Sequence, residues 1–551
     1  MVVAPALTPE HLDPFASPGQ GRRVRTVAEM LARMMTSVAG GVLLYVSYPP
    51  HHLWWLAPVA FALLASVLGG RRACAGFTHG LLFGLGFMIP LLRWLQDFLG
   101  ADFGPWPWLA LSSVMALYSA AAGAGMAVVS RLPGGPVWMA ALFVGSEVLR
   151  TRFPLGGFPW GKVGYGQPEG LFLPLATVGG TALLGFAVVL TGGGLAELAA
   201  RLLRPKRRTP RQLVAPAAFV VVPLLAGLAA APLVSTNADK GTRTVAVVQG
   251  NAPNDGLNLM YDTPILRRNH LQATRQLAAD VRAGRVHRPD LVIWPETATD
   301  VPSDPAEDTE LADAVTELGV PVLVGGRMIW PDDTTVQNTV ISWDPVTGPG
   351  ARYAKRELVP FAEYIPLREF AAAVTPFVAD TRDMVAGTAV GVLPAAGTTV
   401  GVSICYEVAY EQVVGDSVRA GATLLAVPTN NAWYGPGEMS YQQLAMSRVA
   451  AVEYGRAVAV AATSGVSAVV EPDGSVTRQS GMYTAATLVA TVPLRSTVTL
   501  ATRLGAWPEW VASAVGLVAL LVAIGTRLAR RRACQRAVMR GRAPSTDGAT
   551  D

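Results

Sequence analysis

Apolar runs of bilayer-spanning length recur through the first half of the chain, at residues 29–48, 53–69, 74–92, 106–130, 136–150, 177–199 and 214–234, and once more at 507–528. The second and fifth are short or interrupted by polar residues, yet the set reads as about eight spanning helices. Between the seventh and eighth runs, from about Asn237, the pattern changes. β-Branched runs at 244–248, 290–294, 320–329, 335–342, 398–404, 422–427 and 457–462 predict strands. Helical periodicity at 264–284, 304–318, 408–420 and 441–455 alternates with them, and Pro472-Asp473-Gly474 marks a hairpin. Such alternation predicts a layered α/β domain with most of its sheet buried.

The chain therefore divides into an N-terminal tail (1–28), a membrane domain of about seven helices (29–237), an α/β domain (238–503), a last transmembrane helix (504–528) and a basic tail (529–551). Loop charges orient it. Arg22, Arg23 and Arg25 precede the first run, Arg71 and Arg72 follow the second, and Arg131 follows the fourth. Arg201, Arg204, Lys206, Arg207, Arg208 and Arg211 follow the sixth, and Arg527, Arg530, Arg531, Arg532, Arg536, Arg540 and Arg542 close the chain. Cationic loops stay in the cytoplasm, so both ends lie inside and residues 238–503 face the extracytoplasmic space. One loop departs from the rule: residues 150–170 carry Arg150, Arg152 and Lys162 on the outer side, among Phe158, Trp160 and Tyr165. It reads either as a Gly/Pro-rich connector or as an interfacial loop whose cations meet lipid phosphates.

Composition agrees with a membrane protein, since 51% of residues are hydrophobic and only 15% charged. The net charge of +5 is accounted for by these arginine loops, so nucleic acid is not an expected partner. Cys74, Cys405 and Cys534 lie in dissimilar surroundings and form neither a disulfide framework nor a metal-ligand spacing.

Candidate chemistry centres on TTVGVSICYE, residues 398–407, which delivers Cys405 at a strand end just before a helical pattern. A helix start there would favour a thiolate. A lone cysteine in an apolar strand is also commonly a core thiol. Its company argues for function: Glu296 closes the strand pattern LVIWPE, and Lys355 sits in YAKRELVPFAEYIP. A nucleophile, a carboxylate base and an ammonium, each at or after a strand, are the parts of thiol acyl-transfer chemistry.

WPE, then K…LVPFAEYIP, then CYE, in this order, resembles the nitrilase (carbon-nitrogen hydrolase) superfamily with its Glu-Lys-Cys triad, and within it the bacterial apolipoprotein N-acyltransferase family. The likeness runs from about residue 244 to 474 and continues in the flanking membrane segments, including an FPW…GY segment in the 150–170 loop. It implies an αββα sandwich on a polytopic bacterial inner-membrane protein, with the sandwich outside. Glu296 would take the thiol proton, Cys405 would attack an acyl carbonyl, and Lys355 with the Tyr406 N–H would stabilise the oxyanion. Glu363 would support Lys355, and Glu407 would order the site. The implied reaction moves an acyl chain from a phospholipid to Cys405, then to the α-amine of the diacylglyceryl-cysteine that begins an apolipoprotein; a monomer without metal or cofactor is expected. A membrane-tethered amidase acting on small amides is the alternative. Leu358, Phe361, Tyr364, Trp433 and Tyr434 near the motifs would, if exposed, line a lipid-facing entrance. Departures from the family pattern are Ala362 in place of a glycine, no tryptophan in residues 253–262, and Thr463-Ser464-Gly465 where an asparagine is common.

Overall fold

The computed structural model describes residues 18–100, 103–203, 209–253, 263–330, 335–374 and 382–540. The cations at 204–208, residues 254–262 of the tryptophan-free segment, the first 17 residues and Arg542 lie outside them.

Among the described residues, eight α-helices precede the α/β region: α1 (Pro18–Val46), α2 (Leu56–Leu68), α3 (Ala73–Leu91), α4 (Trp94–Leu99), α5 (Trp106–Val129), α6 (Gly135–Arg150), α7 (Ala176–Leu202) and α8 (Arg211–Ala230). Every apolar run of the sequence became a helix. Among the described residues, six helical segments are long and apolar enough to cross a membrane, the sixth being Trp507–Ala533. The two runs read as short are α2, of 13 residues, and α6, of 16. Within the described residues the first helix already runs from Pro18, ahead of the expected tail boundary at residue 28. Small residues let the bundle close. A side chain at Gly80 would collide with the Ser119 carbonyl, and one at Gly123 with Gly76, so α3 and α5 touch backbone to backbone.

Among the described residues the strands are β1 (Thr242–Gln249), β2 (Leu291–Ile293), β3 (Thr299–Pro302), β4 (Val322–Ile329), β5 (Val336–Asp344), β6 (Gly348–Ala354), β7 (Val392–Ala395), β8 (Thr398–Val402), β9 (Leu424–Thr429), β10 (Val458–Ala462), β11 (Ala468–Val470), β12 (Val476–Gln479) and β13 (Ala486–Pro493). They form two sheets, ordered β13-β1-β2-β4-β5-β6, with β3 beside β4, and β12-β11-β10-β9-β8-β7. The parallel centres, β1-β2-β4 and β8-β9-β10, are flanked by antiparallel strands. Face to face, the sheets bury Val245, Val247, Ile293 and Leu323 against Val400, Val402, Leu424 and Ala459.

Helices α9 (Thr263–Arg282) and α10 (Thr309–Leu318) cover the first sheet through Leu271, Leu277, Leu311 and Val315. After the short α11 (Arg368–Val374), helices α12 (Glu411–Arg419) and α13 (Met439–Tyr454) cover the second. This is the expected αββα order. The α12–α13 layer packs its apolar side on the bundle: Val414, Val418, Val449 and Val452 belong to one hydrophobic cluster with Phe87, Leu184 and Val188. The short α14 (Leu500–Leu504) then leads into α15 (Trp507–Arg540).

Residues 150–170 form the joint between the two parts, and here the lipid-phosphate reading is corrected. Arg150 is buried and donates to the Phe158 and Gly161 carbonyls, while Lys162 pairs with Glu411 of α12 and Glu509 of α15, both at 3.0 Å. Trp160 donates to Gln442 of α13 at 2.7 Å, and Tyr165 to the Ala409 carbonyl at 2.9 Å. These cations face carboxylates and carbonyls of the protein because the α/β domain sits on them; only Arg152 stays substantially exposed, paired with Glu509.

Candidate active site

Strand β8 runs into the site, and the chain turns sharply at its end. Cys405 has φ of +53°, a conformation that L residues avoid, and opens a single 3₁₀ turn, Cys405–Ala409. The expected helix over 408–420 begins only at Glu411, six residues past the thiol. A helix start is therefore not what conditions the sulfur. What holds the turn is Glu407, wholly buried, whose Oε2 accepts the Ile404 N–H at 2.7 Å. Its Oε1 accepts Tyr353 Oη–H at 2.8 Å and the N–H groups of Arg356 and Glu357 at 2.7 and 3.1 Å.

Glu296 follows β2 in a tight passage, where a Cβ on Gly325 of β4 would overlap the Pro295 carbonyl; only glycine lets β4 pass there. Lys355 directly follows β6, with 1% of its surface exposed. Its Nζ donates to Glu296 Oε1 at 3.0 Å and to Glu363 Oε1 at 2.9 Å. Asn338 of β5 donates Nδ2 to the same two oxygens, at 2.6 and 2.8 Å. The second oxygens are also fixed: Glu296 Oε2 accepts the Asn430 N–H and Glu363 Oε2 the Val359 N–H, each at 2.8 Å. Two carboxylates thus share one ammonium and one amide, and every partner is buried or nearly so.

Burial pushes the Cys405 thiol up to about 12, assisted by the Glu296 carboxylate that accepts from it and opposed by Lys355 and by the Thr429 hydroxyl. The resting sulfur is a neutral thiol aimed at a base. Lys355 remains firmly an ammonium: burial works against its charge, but Glu296 and Glu363 outweigh burial. The chemistry open to such a set is proton transfer from sulfur to carboxylate beside a fixed positive charge.

All six residues singled out in the sequence lie at or beside this centre. Tyr406 points its side chain toward the bundle, stacked on Trp160 with ring centroids 6.3 Å apart. Of the aromatic and apolar residues near the motifs, Phe361 is 66% exposed, whereas Trp433 and Tyr434 stack on Phe98 of α4 and are packing residues. Leu358 and Tyr364 are half-buried. Sequence reasoning missed Asn338, Thr429, Asn430 and Gln443. The Thr429 hydroxyl lies 3.1 Å from Cys405 Sγ and Gln443 Nε2 lies 3.5 Å from it. The signal for Thr429 and Asn430 was available in PTNNAW, where the last residue of β9 and the two after it are polar yet buried.

Residues 40–194 match the model of the apolipoprotein N-acyltransferase N-terminal domain, and residues 244–502 that of the carbon-nitrogen hydrolases. Among curated proteins named apolipoprotein N-acyltransferase, the one from Mycolicibacterium smegmatis is 37% identical over 92% of this chain and 88% of its own length. Those from Azotobacter vinelandii and Photobacterium profundum are 31% and 27% identical, each over 91% of this chain and over 95% and 97% of their own. With both domains matched in order, and nearly the whole length shared, the chain belongs to the apolipoprotein N-acyltransferase family.

Proposed function

We propose that this protein transfers an acyl chain from a membrane phospholipid, through a thioester on Cys405, to the α-amine of the diacylglyceryl-cysteine that begins an apolipoprotein. The observation that carries the reading is the buried Cys405 thiol held against Glu296, with Lys355 bridging Glu296 and Glu363, in a domain whose core continues into membrane helices.

In the first half, Glu296 takes the thiol proton, Sγ attacks the ester carbonyl, and Lys355 with the Tyr406 N–H carries the oxyanion. Collapse breaks the ester C–O bond, and the Glu296 proton leaves on the lysophospholipid alkoxide. In the second half, Glu296 deprotonates the incoming amine, the C–N bond forms, the C–S bond breaks, and the proton returns to sulfur. Glu363 and Glu407 position rather than react. Burial of the thiol excludes water, which lets the thioester await an amine.

The same reading takes eight spans with both ends in the cytoplasm of a bacterial inner membrane, residues 238–503 outside it, and a monomer. It rests on the loop cations and on the paired short helices α2 and α6. A reporter active only in the cytoplasm, inserted at the exposed turn around Val346, should stay silent; full signal reverses the orientation.

The deciding experiment gives purified protein phospholipid alone. The peptide containing Cys405 should gain the mass of one acyl chain, and neutral hydroxylamine should remove it. A diacylglyceryl peptide with a free N-terminal amine should discharge it quickly, and water slowly. Cys405→Ala should gain nothing. Peptide acylation without any acyl-Cys405 would establish direct transfer, and hydrolysis of small amides with phospholipid ignored would establish a tethered amidase.

A further inference from the structure

Beside Cys405 stands a hydroxyl with two acceptors and one proton. Thr429 Oγ1, at the end of β9, is 3.1 Å from Cys405 Sγ and 2.9 Å from Gln443 Oε1. A hydroxyl donates one hydrogen bond at a time. While the sulfur is a neutral thiol it is a weak acceptor, and the amide carbonyl of Gln443 is the better one. Once that proton moves to Glu296, the sulfur carries a full negative charge and becomes the better acceptor by far. Exchange needs only rotation about the Thr429 Cβ–Oγ bond, with no heavy atom displaced.

Gln443 is built to permit that exchange. Its Oε1 also accepts Asn431 Nδ2 at 3.0 Å, so it is not left bare when the hydroxyl turns away, and this contact fixes the amide with Nε2 facing Sγ at 3.5 Å. Thr429, Asn431 and Gln443 are all buried, so no bulk water competes for these groups.

We propose that the Thr429 hydroxyl is a catalytic donor that changes acceptor during the reaction, bonding Gln443 Oε1 when Cys405 is a thiol or thioester and Cys405 Sγ when it is a thiolate. It stabilises the charged sulfur and not the resting one, which is where a donor lowers a barrier. Because the thiolate forms on the way into the thioester and reappears as the leaving group on the way out, the hydroxyl serves both halves. The inference rests on Cys405 being the nucleophile, and adds a second source of stabilisation to the Lys355 charge.

The test compares wild type, Thr429→Val, Thr429→Ser and Thr429→Ala as full-length purified proteins without lipid donor, following alkylation of Cys405 by iodoacetamide against pH. Loss of the hydroxyl should slow alkylation by about tenfold at each pH below the thiol's titration, the size of one donor to a charged acceptor. It should also displace the profile upward. Thr429→Ser should match wild type, since it keeps the hydroxyl and loses only the methyl group. Equal alkylation in Thr429→Val and wild type overturns the proposal, as does a Thr429→Ser rate as low as that of Thr429→Ala. Should Thr429→Val not fold, the Ser and Ala variants still differ by the hydroxyl alone. With phospholipid and acceptor peptide supplied, both thioester formation and discharge should slow in Thr429→Ala. If wild type never carries an acyl group, the acyl-transfer reading fails, while the alkylation comparison still decides the hydroxyl's role.

Discussion

Glu407, two residues after Cys405, accepts the backbone N–H of Arg356, one residue after Lys355, at 2.7 Å. One carboxylate thereby ties the turn bearing the thiol to the strand end bearing the ammonium, although 51 positions separate the two partners. Glutamine at 407 leaves an NH₂ facing one or more backbone donors, and each stranded buried donor costs about 1–3 kcal/mol. Glu407→Gln should therefore lower the melting temperature and the acylation rate together.

Glu407 also makes the difference between those two proteins depend on pH. Burial outweighs the Lys355 charge and three backbone donors, raising its carboxyl from the ordinary 4.5 to about 6. A raised carboxyl binds its proton more tightly in the folded state, so its contribution is full below pH 4.5 and is lost as pH rises through about 6. The margin in melting temperature of wild type over Glu407→Gln should widen on acidification from neutral pH; a margin flat across that window contradicts the assignment.

Lys355 is a compact ammonium in a space with 1% exposure, donating at 3.0 and 2.9 Å to two carboxylates. Arginine preserves the charge but brings a planar fork too large for that space. Lys355→Arg should lose at least about a hundredfold in turnover, the usual effect of one misplaced oxyanion donor. Turnover near wild type, at matched protein levels, would reduce the lysine to a structural role.

Asn338 separates two carboxylates with a single NH₂ group. Asn338→Asp sets a third carboxylate against them, whereas Asn338→Ser keeps a smaller donor. Acyl-Cys405 formation should fall at least about tenfold in the aspartate variant, one pK unit of mismatch at the base being worth that factor, and less in the serine variant. The reverse ranking would show that Asn338 does not position Glu296.

Lys162 neutralises Glu411 and Glu509 in a buried joint. Lys162→Met strips Glu411 of its cation and leaves Glu509 to Arg152 alone, a loss of about 3–5 kcal/mol for breaking such a pair. The melting temperature should drop sharply, and adding Glu411→Gln with Glu509→Gln should recover part of it. No recovery would mean that Lys162 acts through packing of its stem.

Strands with short apolar runs, such as β9 and β10, were legible because parallel central strands are apolar on both faces. β6, GPGARYA, was not, since it is an edge strand of Gly, Pro and Arg held by its pairing with β5. β3, β7 and β13 went unread as well; the first two have four residues each and contain proline, while β13 was passed over despite its β-branched run. Glu296, Lys355 and Cys405, the residues proposed to react, were legible as motifs. Their supports were not: Asn338 lies in the middle of β5 and Gln443 in the middle of α13, where polar side chains ordinarily face solvent, and only the fold turns them inward. Residues 150–170 misled for the converse reason, because a loop rich in cations and aromatics looks interfacial until the domain it supports is seen to cover it.

That joint also sets an order of events at the ribosome. Glu509 emerges 347 residues after Lys162, once every other part of the joint has been made. Until then the α/β domain rests on its bundle with Lys162 paired to Glu411 alone and Arg152 without its carboxylate. Insertion of the last helix brings both cations their partner in a single step, so a chain that stalls before it cannot complete the seat of its own catalytic domain.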